Sequence, residues 1–172
     1  MNKDELRAAQ APLKDRYRRE PGAAFITLRA QGKMGDGVTC SIATGKALVE
    51  AGLHPATGGT GVAACSGDML LEALVACAGV TLAAVSTSTG IRVEDATITA
   101  EGDLDFQGTL GVAKDVPVGF QNIRLNFDLR SNATHEDLEK LIGLTQRYCV
   151  VLQTLKNNPA ITADFRSSQL SS

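Results

Sequence analysis

The chain has 172 residues, of which 17 are Lys or Arg and 19 are Asp or Glu, so its formal net charge is −2 at neutral pH. An apolar fraction of 44% is typical of a globular protein and argues against a disordered one. The balanced charge and the absence of Trp argue against a basic, aromatic-rich surface, so we expect no nucleic-acid partner.

Residues 1–22 are strongly charged, and we predict that they form a helical arm outside a single domain spanning 23–172. They hold no apolar run of signal-peptide length, so we expect a cytoplasmic protein whose cysteines stay in a reducing compartment. The four cysteines show no CxxC spacing, and only His54 and His135 could join them as ligands. We therefore expect no metal site.

The domain begins with two predicted strands, over 23–30 and 38–44, joined by a tight turn at 35–37 whose D-G pair favours a hairpin. A Gly-rich loop at 55–61 then leads into a long apolar stretch.

This stretch predicts a helix over roughly 68–88, with Gly90 as its C-cap. Glu72 interrupts the apolar run, and no basic or aromatic flank frames it. We therefore expect a buried helix and no membrane partner.

The second half contains two further predicted strands, over 91–106 and 118–131. Thr134 opens a capping-box pattern that predicts a helix, and helical signals continue until Pro159. A last short strand is predicted over 161–165. The resulting order, ββα ββ αα β with hairpins between strands, predicts an α+β fold.

Cys77 and Cys149 are each predicted to face inward from a helix, so they could meet across a helix–helix contact. They could equally be small apolar core residues, since free cysteines are often buried. Asp68 opens the long helix, either as its N-cap or as a carboxylate that holds an Arg at the helix mouth. Arg29 is the candidate for that Arg, and beside a thiol it would favour the thiolate. Alternatively, it is an ordinary solvated strand residue.

Four segments together resemble the OsmC/Ohr family of organic-hydroperoxide-resistance proteins. In chain order they are SGDMLLEALVACAGVTL at 66–82, DFQGTLG at 105–111, VGFQNI at 118–123 and RYCVVLQTL at 147–155. The resemblance covers about 23–165. It implies curved antiparallel sheets around two central helices, and an intertwined homodimer with its active sites at the subunit interface.

The resemblance also implies a function and a set of site residues. Cys77 matches the peroxidatic cysteine, Cys149 the resolving cysteine and Arg29 the thiolate-contacting arginine, while Asp68 stands where the family usually has Glu. The implied activity is a thiol-dependent, metal-free peroxidase that reduces small organic hydroperoxides to alcohols. No cofactor is implied, only an external dithiol reductant such as a dihydrolipoyl group.

The sequence departs from the family pattern at several positions. Val150 replaces a Pro, Gln107 replaces an Arg, and Cys65 is an additional thiol that could compete as a resolving partner. One alternative is a non-enzymatic OsmC-like dimer that binds a small apolar ligand and has buried structural thiols. Another is a Cys–His hydrolase in which His54 serves Cys77 as a base.

Overall fold

The structure is a computed structural model, which describes residues 2–5, 7, 8, 10, 11, 19, 31–34, 39–43, 48–111 and 113–167. The predicted strand over 23–30, with Arg29, lies outside the described residues. So does the boundary between the predicted arm and the domain, which stays a prediction.

A four-stranded sheet in the order β1-β2-β3-β4 forms the first half of the fold. Its strands are β1 (Gln31–Met34), β2 (Thr39–Ala43), β3 (Leu48–Gly52) and β4 (Ala64–Cys65). β1 and β2 pair antiparallel on either side of the predicted turn, β3 pairs antiparallel with β2, and the short β4 runs parallel to β3. The predicted second strand is confirmed, whereas β1 and β3 lie where the sequence predicted no element.

A second sheet pairs β5 (Asp95–Asp103) with β6 (Asn122–Arg130) in antiparallel register. Burial alternates along both strands, as the period-two pattern of β6 predicts. The inner face carries Ile98, Ala100, Ile123, Leu125, Phe127 and Leu129, which pack against the core.

The outer face of this sheet is polar. There the Arg124 guanidinium pairs with Asp103 and Glu101. Its hydrogen bonds lower the pKa of the Asp103 carboxyl against the opposing effect of desolvation. Because these groups are exposed, we assign the cluster little weight in stability.

The helix α1 (Ser66–Thr89) crosses the inner face of the β5–β6 sheet. It ends as predicted at Gly90, which adopts a left-handed conformation (φ 79°) and donates its N–H to the Ser86 carbonyl oxygen at 2.9 Å. One side of α1 is buried, through Leu74, Ala78, Leu82 and Val85. Contacts to β5 and to the C-terminal helices bury this side.

Three further helices follow α1 in the described part of the chain: the single turn α2 (Phe106–Thr109), then α3 (His135–Tyr148) and α4 (Val150–Asn157). The predicted capping of α3 is confirmed, because the Thr134 hydroxyl accepts the Asp137 N–H at 3.2 Å. The helical continuation predicted through Cys149 is wrong in one respect. Cys149 is extended (φ −72°, ψ 106°) and separates α3 from α4.

The strand predicted over 161–165 is wrong. These residues form no strand, and Ile161 and Phe165 are 86% and 90% exposed. An alternating pattern becomes a strand only when a neighbouring edge supplies hydrogen-bond partners, and no described strand pairs with this segment. Two sheets with helices packed on one of them give an α+β fold, as predicted.

Within the part of the chain that the structure describes, α1 is the one helix long and apolar enough to cross a membrane by length and composition. Core helices of other proteins have the same properties. Here Leu74, Ala78 and Leu82 are buried against other elements of the fold, while Val80 is 73% exposed on the opposite side. This side of α1 is therefore an exposed apolar face.

Candidate active site

The structure brings Cys77 and Cys149 together. Cys77 lies half-buried in the middle of α1, and Cys149 is fully buried at the junction of α3 and α4. Their side chains are within hydrogen-bonding contact, beside the buried Leu74 and Ala78. Both thiols are free. Two cysteines that are 72 positions apart in the sequence (149 − 77) therefore form one site.

The change of direction at Cys149 determines how α4 meets this site. The Cys149 N–H donates to the Thr145 carbonyl oxygen at 3.0 Å, which completes α3. The Cys149 carbonyl oxygen accepts the Gln153 N–H at 2.9 Å, which is the first helical bond of α4. The first amides of α4 consequently have no acceptor within their own helix, and they face the thiols.

These amides favour an ionised Cys77. Burial raises the pKa of the Cys77 thiol, but hydrogen bonds from the Val151 amide, the Cys149 thiol, the Val150 amide and the Thr81 hydroxyl outweigh it and bring the pKa below its ordinary value. The Thr81 hydroxyl has a single proton, for which the Cys77 sulfur competes with the Cys77 carbonyl oxygen, 2.7 Å from the hydroxyl and one turn back along α1.

Cys149 is shifted in the opposite direction. Burial raises the pKa of its thiol, the Leu152 and Val151 amides oppose that effect, and the neighbouring Cys77 raises the pKa further. Cys77 therefore ionises before Cys149, which is the order that a nucleophile and its thiol partner require.

A groove of about 570 Å³ opens between α1 and α3, starting one turn of α1 beyond Cys77. Thr81 belongs both to the groove wall and to the surroundings of the Cys77 sulfur. The other lining residues are largely apolar: Val80, Ala84, Val85, Ser88, Leu144, Tyr148 and Gln10. The size and lining suit a small organic molecule.

Asp68 lies apart from the thiols. It is exposed in the first turn of α1, where it lines a cavity of about 470 Å³ with Ile98 and Ala100 of β5. The predicted N-cap role is wrong, because the helix begins one turn earlier and Cys65 occupies the cap position without a side-chain bond. Asp68 makes no ion pair with any described residue, and its predicted pairing with Arg29 stays a prediction.

His54 has a local structural role. Its Nδ1 accepts the Ala56 N–H at 3.0 Å, and its ring stacks on Phe106 with centroids 5.0 Å apart. These contacts fix the loop before β4 and give no support to a Cys–His pair with Cys77. In the described part of the chain, no group of three or more His, Cys, Asp or Glu side chains could hold a metal ion.

Sequence reasoning missed the groups that contact the Cys77 sulfur besides Cys149. The sequence analysis assigned no role to Thr81, and the donors of Val150 and Val151 are backbone atoms. A side-chain pattern could have indicated Thr81, because it lies four residues after Cys77. No side-chain pattern indicates the amides, since they depend on where the helix begins.

The family model described as OsmC-like protein matches residues 58–164, which is more than half of the chain and includes both Cys77 and Cys149. The chain belongs to the OsmC-like protein family. Among curated proteins, none is similar enough in sequence to be matched.

Solved structures agree on the fold of this OsmC-like protein. An OsmC-like protein from Mycoplasma pneumoniae is 15% identical with a TM-score of 0.66, covering 77% of this chain and 89% of its own. An organic hydroperoxide resistance protein from Elizabethkingia anophelis is 18% identical with a TM-score of 0.63, covering 78% and 91%. The organic hydroperoxide resistance protein OsmC from Legionella pneumophila is 19% identical with a TM-score of 0.61, covering 78% and 93%.

Proposed function

We propose that this OsmC-like protein is a thiol-dependent peroxidase that reduces small organic hydroperoxides to alcohols, with Cys77 as nucleophile and Cys149 as resolving thiol. The observation that carries the proposal is the contact between these two side chains, with the pKa of Cys77 lowered and that of Cys149 raised. Two structurally similar proteins are named organic hydroperoxide resistance proteins, which supports the same class of substrate.

In the first step, the Cys77 thiolate attacks the distal oxygen of the hydroperoxide and the O–O bond breaks. The alkoxide leaves and takes up a proton from water to become the alcohol. The sulfur is oxidised to a sulfenic acid, and the peroxide is reduced by the same two electrons. The apolar groove beside Thr81 would hold the organic part of the substrate.

In the second step, Cys149 attacks the sulfenic sulfur of Cys77. Its proton leaves with the sulfenic hydroxyl as water, and a disulfide forms. A dithiol reductant, for which a dihydrolipoyl group is our candidate, then restores both thiols by exchange and is itself oxidised to a disulfide. The cycle needs no metal or organic cofactor.

We also propose a cytoplasmic homodimer in which the open side of α1 is covered by a second copy. Support comes from the exposure of Val80 and from the low burial of α1. Only 22% of its most apolar 18-residue stretch is buried within one chain. Arg29 is proposed as the cation that contacts the thiolate, with Asp68 available to hold its guanidinium.

The test follows the loss of cumene hydroperoxide in the presence of a dithiol for wild type, Cys77→Ser and Cys65→Ser. We expect Cys77→Ser to lose activity by about a thousandfold or more, since no other group can replace the nucleophile. Cys65→Ser is the matched control, because it removes a free thiol from the start of the same helix, and it should stay active. Equal peroxide loss in wild type and Cys77→Ser would contradict the proposal.

A second measurement separates the enzyme from a protein that only binds apolar molecules in the groove. After one equivalent of hydroperoxide and no reductant, the intact mass should fall by about 2 Da, and peptide mapping should join Cys77 to Cys149. An unchanged mass, together with reversible binding of an apolar ligand, would favour the binding protein instead.

A further inference from the structure

The start of α4 is held open by a side-chain contact. In a helix running through Cys149, the Val150 N–H would donate to the Gln146 carbonyl oxygen. Here the Gln153 Nε2 donates to that oxygen instead, at 2.8 Å. Asn157 Nδ2 donates to the Gln153 Oε1 at 3.0 Å, which orients the Gln153 amide for this role. The Val150 N–H is therefore left without a helical acceptor.

The Cys77 sulfur lies at this open helix start. The amides of Val150 and Val151 donate to it, and the fully buried Cys149 thiol contacts it. We propose that the Val150 backbone N–H is a positioning donor, which holds the Cys77 sulfur against Cys149 through the helix break that Gln153 maintains. This proposal rests on the proposed peroxidase function, because it concerns how that nucleophile is activated.

Proline is the substitution that removes this donor while preserving the local backbone. Val150 is the first residue of α4, where a missing N–H breaks no helical hydrogen bond. Cys149 has a ψ of 106°, in the extended region that a residue before proline adopts. Val150→Pro should therefore fold, and Val150→Ala is its matched control because it loses the side chain and keeps the N–H.

The experiment measures iodoacetamide alkylation of Cys77 as a function of pH, resolved by peptide mass, in the full chain. At pH 6 we expect Val150→Pro to react roughly three- to tenfold more slowly than wild type, because a charge-assisted hydrogen bond to the thiolate is lost. Val150→Ala should follow the wild-type profile. Wild-type rates in Val150→Pro, or equal slowing in both variants, would overturn the proposal.

A measurement on the wild type keeps the proposal testable even if Val150→Pro fails to fold. The amide proton resonance of Val150 should shift with the same midpoint as the alkylation of Cys77. A Val150 resonance that stays fixed throughout the Cys77 titration would overturn the donor role. Neither readout uses a peroxide, so a protein that reduces no hydroperoxide but shows both effects would contradict the proposed function alone.

Discussion

The two sides of α1 differ in which atoms they offer for chemistry. On the packed side, Cys77 meets the start of α4, and its neighbours are a thiol, a hydroxyl and two backbone amides. Asp68 and Glu72 lie on the opposite side of the helix from Cys77, where they line a cavity against β5. The two carboxylates of this apolar helix, Asp68 and Glu72, are thus not beside the thiols. The described groups that contact the Cys77 sulfur are neutral dipoles and a second sulfur.

Among substitutions outside the thiol pair, the largest expected effect lies on the exposed face of α1 that carries Val80 and lines the groove beside Thr81. Val80→Glu places a charge in the middle of the face that we propose is covered by a second copy, so we expect the dimer to weaken by a hundredfold or more. Sedimentation velocity would measure this. Lys140→Glu is the control, because Lys140 is an exposed residue of α3 that is already charged. A wild-type protein that is monomeric, or a Val80→Glu variant that still dimerises, would contradict the proposed interface.

Packing on the buried side of α1 should determine the stability of the fold. Leu74 is fully buried, so Leu74→Ala should lower the free energy of unfolding by about 3 kcal/mol through lost burial and a residual cavity. Leu70, one turn earlier and 38% exposed, is the matched position, and Leu70→Ala should cost about 1 kcal/mol. Urea denaturation measures both. Equal losses would contradict the difference in burial between Leu74 and Leu70.

The two thiols should ionise in a fixed order. A lowered pKa means that the thiolate of Cys77 is present at lower pH, and a raised pKa delays ionisation of Cys149 to higher pH. Because Cys149 is also buried, we expect Cys77 to be alkylated at least about tenfold faster at pH 7. Peptide-resolved alkylation between pH 5 and pH 10 measures the order. Faster alkylation of Cys149 would reverse the assignment of nucleophile and partner.

The smallest expected effect concerns Thr81. Thr81→Val removes the hydroxyl beside the Cys77 sulfur, and we expect Cys77 alkylation at pH 6 to slow by about two- to threefold. Thr87→Val is a close control, since the Thr87 hydroxyl makes the same kind of bond to the Ala83 carbonyl oxygen, at 2.8 Å, two turns away. The same slowing in both variants would point to a general effect on α1.

Much of the fold could be predicted because its signals are local. The alternation in β6, the Thr134 cap and the Gly90 stop are each decided by a few neighbouring residues. The strand predicted over 161–165 failed because pairing is a long-range condition. β3 was not predicted, because its five residues show no clear alternation of apolar and polar side chains. Its strand conformation depends on pairing with β2 and β4, which lie on either side of it.

The candidate site was predictable only in part. Facing directions indicated that Cys77 and Cys149 could meet, and the structure places them in contact. No Gly or Pro marks the helix break at Cys149 in the sequence. The break is stabilised instead by the Gln153 side chain, which donates to the Gln146 carbonyl oxygen. A bond of that kind depends on the folded chain, so the backbone donors that it frees could not be seen in the sequence.

The position of Cys149 between two helices has a mechanical consequence. A covalent bond from this residue to Cys77 would tie α1 to the joint at which α3 becomes α4, and so would restrain three helices through a single crosslink. Oxidation would then slow amide hydrogen exchange on either side of the joint, well away from the sulfur atoms.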